Sequence, residues 1–200
     1  AHNTDMNTLY DQHVQQKTQR FQKLLNNTGY QALIVASGSF KTQFQDDLFY
    51  PFKANPYFKE WLPLNKRRDA FLVITVDAEI PTLLLDCAED IWHTAPQSLP
   101  EGFEKPFKVI EYTQIDAVHE QLKTFTGMVA LIAECNALQI PEGHHNPENL
   151  LQGIDFQRRN KTAYEQACVR QASHLAAPAH LAARDAFLNG ASEYDIANAY

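Results

Sequence analysis

Apolar positions along the first 160 residues switch between helical spacing and short continuous runs. Helical spacing over the first 25 residues predicts a helix, which a polar stretch ending in Gly29 terminates. Five apolar runs that are too short for helices predict buried strands at residues 32–36, 70–76, 82–85, 107–112 and 129–133. A second helix is predicted over 115–125, and the short 77–81 turn favours a hairpin. This alternation predicts an α/β domain with a mixed sheet and helices on its faces.

The pattern changes after residue 158. Thr162 and Glu165 have the spacing of a capping box, and a long alanine-rich helix is predicted from there to Gly190. Pro178 lies inside that helix and is expected to kink it or to end it early. Ser192 opens a further helix shortly before Tyr200. We therefore expect one domain at 6–158 and the incomplete start of a second at 159–200.

Composition and charge exclude several classes of partner. The net charge of −7 and the pI near 5.6 argue against binding nucleic acid or an anionic membrane. The apolar runs are far shorter than the roughly 18 residues of a membrane span. Residues 1–5 lack the features of a signal peptide and are expected to be a remnant of cloning. The three scattered cysteines, without a CxxC pair, predict reduced thiols and a cytoplasmic protein.

The segment from Phe44 to Trp61 is the most unusual part of the chain. It holds seven of the 22 aromatic residues (12 Phe, 8 Tyr, 2 Trp) in 18 positions. Its prolines and the pair Asp46-Asp47 predict an irregular loop, and such an aromatic loop has to be covered by its own domain or by another surface. We interpret it as a rim or interface loop that presents a carboxylate between hydrophobic walls. Tyr50 and Phe52 are predicted in the core, with Phe58 and Trp61 facing a partner.

Other polar clusters have simpler explanations. The group Asp86, Cys87, Glu89, Asp90 and His93 has the composition of a metal site, but its spacing matches no zinc motif, and a strand end before a helix start is favoured. His144-His145 is expected in an exposed loop. His174 and His180 are six residues apart on one helix and point in different directions. No serine or cysteine nucleophile has a recognisable local motif.

Three motifs together resemble a known family. They are SGSFKTQFQDDLFYPFKANPYFKEWLP at 37–63, DIWH at 90–93 and RRNKTAYEQACVRQA at 158–172. The chain resembles the bacterial Xaa-Pro dipeptidases (prolidases), which include the organophosphorus acid anhydrolases, over about residues 6–200. The DD-x-x-YPFK-x-NP-x-FK-x-W block is specific to them. The R-x-x-K-T-x-x-E helix start is shared by the wider methionine aminopeptidase, aminopeptidase P and creatinase superfamily.

The resemblance implies a small N-terminal α/β domain followed by a "pita-bread" α+β catalytic domain. That catalytic domain holds two divalent metal ions, usually manganese, through two aspartates, a histidine and two glutamates. These ions activate water and polarise the scissile bond. Their motifs are expected beyond residue 200, so no catalytic residue or metal ligand is assigned here, and the chain alone is expected to be inactive.

The resemblance also implies a homodimer in which the aromatic loop of one subunit reaches over the active site of the other. Asp47 would then line the partner's substrate pocket and attract the ammonium group of a dipeptide, while Asp46 has a turn or cap role. Trp92 and His93 are implied near the same rim. The implied reaction is hydrolysis of Xaa-Pro dipeptides, with organophosphate triesters as side substrates.

Two alternatives stay open. One is an aminopeptidase P-like or creatinase-like relative, against which the DD-x-x-YPFK block argues. The other is a non-catalytic dimerising module encoded as a short protein of its own. Asp46-Asp47 as plain turn acids, and an aromatic loop packed within its own domain, are the structural alternatives to a pocket role.

Overall fold

The computed structural model of the protein describes residues 2–88, 96–134, 138, 140 and 143–200. The chain divides into two compact units, Ala1–Asn160 and Lys161–Tyr200. The boundary expected from the sequence lies two residues before this division.

A six-stranded mixed sheet forms the centre of the first unit, which confirms the predicted fold class. Its strands are β1 (Ala32–Ala36), β2 (Ala70–Thr75), β3 (Thr82–Asp86), β4 (Lys108–Tyr112), β5 (Val129–Ile132) and β6 (Gly143–His145). Their order is β4-β3-β2-β1-β5-β6, with β1–β2 and β2–β3 antiparallel and the other three pairs parallel. The strand β1 lies inside the sheet and is buried over its whole length, as its continuous apolar sequence requires.

The helices of the first unit cover both faces of the sheet. They are α1 (His2–Thr28), α2 (Pro56–Lys59), α3 (Ile115–Leu122) and α4 (Glu148–Arg158). Val118 and Leu122 of α3 join the core on one face with alternate residues of β1, such as Ile34. The helix α1 contacts β2 and α4. It buries Tyr10, Val14, Phe21 and Leu25, whose four- and seven-residue spacing places them on one side of the helix.

Two elements of this unit differ from the prediction. The residues His144-His145, predicted in a loop, form part of the edge strand β6, although both side chains are exposed. The helix α4 was not predicted, because it begins at Glu148 after Pro147, which provides no side-chain cap. Gly153 allows α4 to approach α1, since a Cβ atom at this position would lie 2.5 Å from Leu24 Cδ1.

The second unit consists of α5 (Ala163–Leu188) and α6 (Glu193–Ala199). The predicted capping box is confirmed: the Thr162 amide donates to Glu165 Oε2 at 2.7 Å, and the Glu165 amide donates to Thr162 Oγ1 at 3.3 Å. Pro178 does not end α5 early, so that alternative was wrong, and the predicted kink stays a prediction. The surrounding backbone hydrogen bonds continue the helix although proline cannot donate one.

Membrane insertion has no support in the described part of the chain. None of its helices combines the length and the apolar content that a bilayer crossing needs.

Candidate functional site

The aromatic segment contains a small β-hairpin that extends from the end of β1. The Gln43 amide donates to the Leu48 carbonyl and the Tyr50 amide to the Lys41 carbonyl, both at 2.9 Å, and Thr42 pairs with Phe49 in an antiparallel bridge. We call residues 41–50 the arm hairpin. As predicted, no helix or strand runs through residues 41–50, and a single isolated bridge closes the arm hairpin before the prolines begin at Pro51.

A tight turn forms the tip of the arm hairpin. Gln45 adopts a left-handed conformation with φ of 54°. Asp46 Oδ1 accepts a hydrogen bond of 3.0 Å from the Leu48 amide, and this bond lowers the pKa of the Asp46 carboxyl below its usual value. The turn role predicted for Asp46 is confirmed. Asp47 is exposed, so its carboxylate is available to a ligand.

Apolar side chains surround this carboxylate along the sequence. Phe44 is 88% exposed and Leu48 is 61% exposed, and these two residues flank the acidic pair. Nearer the sheet, the rings of Phe40 and Phe49 stack with centroids 4.9 Å apart. Large apolar side chains that are exposed close together in the sequence are typical of surfaces that bind a partner. The arm hairpin thus combines an accessible anion with an apolar surface suited to contact.

The predicted division of the aromatic residues is reversed in the structure. Phe58 and Trp61, expected to face a partner, are fully buried, whereas Tyr50, expected in the core, is 49% exposed. Phe52, also expected in the core, is half-buried. The reason is the turn that continues from α2: the Trp61 amide donates to the Phe58 carbonyl at 3.0 Å, which places these two residues, three apart, on the same side.

Trp61 lies in the core beneath α1. Its ring meets that of Phe21 edge to face with centroids 4.9 Å apart, and its carbonyl accepts from the Tyr10 hydroxyl at 2.7 Å. An aromatic side chain placed in this way stabilises the junction of α1 and α2 and is not available to a partner.

Asn55 anchors the returning end of the arm hairpin. Its side-chain Nδ2 donates to the Ala36 carbonyl at 3.0 Å, and its backbone amide donates to the Ser37 carbonyl at 2.9 Å. Its Oδ1 accepts from the Tyr57 amide and so caps α2. Sequence reasoning missed this residue, although the Asn-Pro pair before a short aromatic stretch is a recognisable helix-start signal.

The other predicted site residues do not join the arm hairpin into one described site. Trp92 and His93 lie outside the described residues, as do Glu89 and Asp90 of the cluster considered as a metal site. Asp86 is engaged locally, since its Oδ1 accepts from the Ala88 amide at 3.0 Å. Burial is the main cause that raises the pKa of the neighbouring Cys87 thiol, with the Glu111 carboxylate adding to it.

The described residues do not fit a catalytic metal pair. Over the described ranges, no group of three or more His, Cys, Asp or Glu side chains is arranged to hold a metal ion. Beside Asp86, Arg67 is buried and donates to the Asp86 carbonyl at 2.7 Å and to the Gln97 carbonyl at 3.0 Å. The described residues around Asp86 therefore include an internally bonded arginine and no preformed ligand set.

Comparison with known proteins places the chain in a family. The sequence profile described as "Xaa-Pro dipeptidase, N-terminal domain" matches residues 8–156, which include the sheet and the arm hairpin. The chain belongs to this family. The resemblance inferred from the motifs is thereby confirmed.

Two curated relatives agree with this assignment. The chain is 36% identical over 194 residues to an Xaa-Pro dipeptidase of Pseudoalteromonas haloplanktis and 37% identical over 194 residues to one of Pseudoalteromonas atlantica. In both cases the alignment covers 96% of this chain and 44% of the relative. The chain thus spans less than half the length of these curated relatives. Among solved structures, zinc-substituted Escherichia coli aminopeptidase P in complex with product matches 86% of this chain and 44% of its own, with 18% identity and a TM-score of 0.49.

Proposed function

We propose that this chain is the N-terminal part of a metal-dependent Xaa-Pro dipeptidase, which hydrolyses the imide bond of dipeptides that end in proline. The support is the family match over residues 8–156 together with relatives that carry this name along 96% of the chain. Because the chain corresponds to 44% of those relatives, the proposed activity is that of the longer protein.

The exposed tip of the arm hairpin carries the proposed contribution of this chain. In the proposed homodimer, the tip of one subunit reaches over the active site of the other, where Phe44 and Leu48 contact the partner. Asp47 then faces the substrate, and its carboxylate attracts the ammonium group of a dipeptide through a charge-assisted hydrogen bond. In a longer peptide the ammonium group lies further from the scissile bond, and the extra residues collide with the tip. The tip therefore favours dipeptides.

Two divalent ions, proposed as manganese, belong to the part of the longer protein that follows residue 200. When bound, they supply water activation and stabilisation of the negative charge that develops on the scissile group. The described residues of this chain contribute confinement and charge to the substrate, and they hold no ion themselves. The same proposal includes hydrolysis of organophosphate triesters as a side activity. It also includes a cytoplasmic location.

The test compares dipeptide and tripeptide turnover by the full-length protein loaded with manganese. We expect cleavage of Leu-Pro and little cleavage of a tripeptide that begins with the same residues. Asp47→Ala is expected to lower kcat/KM for Leu-Pro by about tenfold or more, the effect of losing one charged contact to a ligand. Asp116→Ala is the matched control, because its carboxylate on α3 is 95% exposed.

Two results would contradict the proposal. Tripeptide turnover at a rate similar to that of Leu-Pro would remove the dipeptidase assignment. Unchanged Leu-Pro kinetics for Asp47→Ala, in a dimer whose circular dichroism and melting temperature are unaltered, would show that the Asp47 carboxylate does not face the substrate.

A further inference from the structure

The two ends of the arm hairpin are attached to the sheet by different chemistry. At the returning end, Asn55 uses neutral, buried hydrogen bonds to the carbonyls of Ala36 and Ser37. At the outgoing end, neutral backbone bonds such as Asp69 amide to Gly38 carbonyl are joined by a charged, half-buried attachment from the dipeptide Arg68-Asp69 that precedes β2. A charged attachment costs more to bury than a neutral one, so its presence calls for a reason.

Three contacts connect Arg68-Asp69 to the outgoing end. The Ser39 hydroxyl donates to Asp69 Oδ1, and the Asp69 amide donates to the Gly38 carbonyl at 2.9 Å. Arg68 Nε lies 3.3 Å from Asp69 Oδ2, and the guanidinium lies over the Phe40 ring at 4.8 Å from its centroid. The Asp69 carboxylate therefore binds both Ser39, which precedes the arm hairpin, and Arg68, which covers the Phe40 ring.

The Phe40 ring connects Arg68 to the arm hairpin. It stacks on Phe49 at an interplanar angle of 26°, and Phe49 is the residue that pairs with Thr42 across the hairpin. Phe40 also meets Phe52 edge to face, with centroids 6.1 Å apart. The direction in which the hairpin leaves the sheet is thus connected to the position of the guanidinium through the Phe40 ring.

The backbone of Asp69 is itself fixed to the sheet. Its carbonyl accepts from the Tyr112 hydroxyl at 2.7 Å and from the Asp86 amide at 3.2 Å. Its φ of 51° is left-handed, a conformation that aspartate and asparagine adopt more readily than most residues. The carboxylate is consequently presented to Ser39 and Arg68 from a rigid support.

From this geometry we infer that Arg68 and Asp69 form a charged clasp that positions the arm hairpin and, through it, Asp47. Both are positioning residues, since neither lies at the tip. The inference rests on the proposed function for its consequence in catalysis, but its effect on the hairpin is independent of that function.

The electrostatics of Asp69 support a positioning role. Burial is the largest influence and raises the pKa of the Asp69 carboxyl, and the Asp86 carboxylate acts in the same direction. Ser39, Arg68 and Arg67 favour the ionised form but do not outweigh burial. A pKa that is higher in the folded state means that folding favours the protonated acid. The free energy of unfolding therefore falls as pH rises from 3.8, the ordinary pKa of aspartic acid, through the raised pKa of Asp69. Because burial disfavours the ionised form of this carboxyl in the folded state, holding the arm hairpin through that form costs stability.

The test uses Asp69→Asn, which keeps the shape and the left-handed backbone but removes the charge. The amides of Gln43 and Tyr50, which close the arm hairpin, are expected to exchange their hydrogens about tenfold faster, as one charge-assisted contact is lost. Amides of β1 are expected to keep their exchange rates. The melting temperature at pH 7 is expected to be unchanged or higher, with a difference from the unsubstituted protein that grows as pH rises through the window above.

Asp77→Asn is the matched control, because Asp77 is exposed and follows the opposite end of β2. Ser39→Ala removes only the hydroxyl donor and is expected to give a smaller increase in exchange at the same two amides. In the full-length protein, Asp69→Asn is expected to raise KM for Leu-Pro several-fold, whereas Asp77→Asn leaves it unaltered.

The possible results separate this inference from the proposed function. Unchanged exchange at Gln43 and Tyr50 in Asp69→Asn overturns the clasp, whatever Asp47→Ala does to turnover. Faster exchange with an inert Asp47→Ala supports the clasp and overturns the substrate role of Asp47. Faster exchange, an impaired Asp47→Ala and an unaltered KM in Asp69→Asn overturn the claim that the clasp positions Asp47.

Discussion

Asn55 shows how one residue fixes the end of one element and the start of the next. It is 4% exposed, and its side chain both donates to the last residue of β1 and accepts from the first turn of α2. Pro56 follows at the first helical position, where its missing amide hydrogen is not needed. The returning chain is therefore held at the sheet before α2 carries Phe58 and Trp61 into the core.

We predict that Asn55→Ala lowers the free energy of unfolding by about 3 kcal/mol, because it leaves the Ala36 carbonyl buried without its donor and removes a helix cap. Asn55→Asp is expected to recover only part of this loss, since it restores the cap but cannot donate to Ala36. Denaturant unfolding gives the measurement. Asn26→Ala, at an exposed position near the end of α1, is the control, and an equal loss there would contradict the prediction.

At the scale of elements, Glu60 connects three helices. It follows α2, and its Oε2 lies 2.9 Å from Lys17 Nζ of α1 and 3.4 Å from Arg158 Nε of α4. The Lys17 and Glu60 side chains are only 5% and 6% exposed. The ammonium group also lies 5.8 Å from the centroid of the Trp61 ring. Such a pair is costly to form but more costly to break, because the remaining charge stays buried.

We predict that Lys17→Met destabilises the protein by about 3 kcal/mol, the usual cost of removing one partner of a buried ion pair. Lys23→Met makes the same change at an exposed position of α1 and is expected to have little effect. Adding Glu60→Gln to Lys17→Met should restore part of the stability in thermal and urea unfolding. A double variant less stable than Lys17→Met would show that Glu60 does not depend on this lysine.

The elements divide clearly into those that sequence reasoning predicts and those that it does not. Runs such as residues 32–36 are apolar at every position, because an inner strand is covered on both faces, and this signal is local. The edge strand β6 has three residues and exposed histidines, so its pairing with β5 leaves no apolar pattern to read. The strand at 32–36 was therefore predictable from its own residues, whereas β6 was not.

The candidate site divides in the same way. The acidic tip follows from local turn chemistry, and the role of Asp46 was accessible from the sequence. The burial of Trp61 was not predictable from the sequence, because the ring packs against Phe21 of α1, which lies forty residues away in the chain. The Arg68–Asp69 contacts with Ser39 and Phe40 likewise join residues about thirty positions apart, and no short motif encodes them.

At the scale of the whole molecule, the arm hairpin is an apolar projection from a domain whose core is otherwise covered. Phe44 and Leu48 expose most of their surface, which is unfavourable in water unless a second surface covers them. This is the physical basis for the proposed homodimer of the longer protein. It also implies that dimer strength depends on the tip.

We predict that the full-length protein contains two chains per particle. The double substitution Phe44→Ser with Leu48→Ser is expected to raise the dimer dissociation constant by roughly thirty-fold, because about 2 kcal/mol of apolar burial is lost. Light scattering over a dilution series provides the measurement. Ile80→Ser is the control, as Ile80 is 53% exposed in the turn between β2 and β3. A monomeric full-length protein, or equal weakening by the control, would contradict the prediction.

The hydrogen bond from the Asn55 amide to the Ser37 carbonyl has a consequence for how such proteins diversify. It joins the two ends of residues 38–54 at the terminus of β1. These residues therefore form a loop whose ends are already held together. Insertions there carry little entropic penalty, about 0.6 kcal/mol for each doubling of length. The projection can therefore be lengthened or shortened while the sheet keeps its register, and in the proposed dimer this would change which molecules fit beneath it.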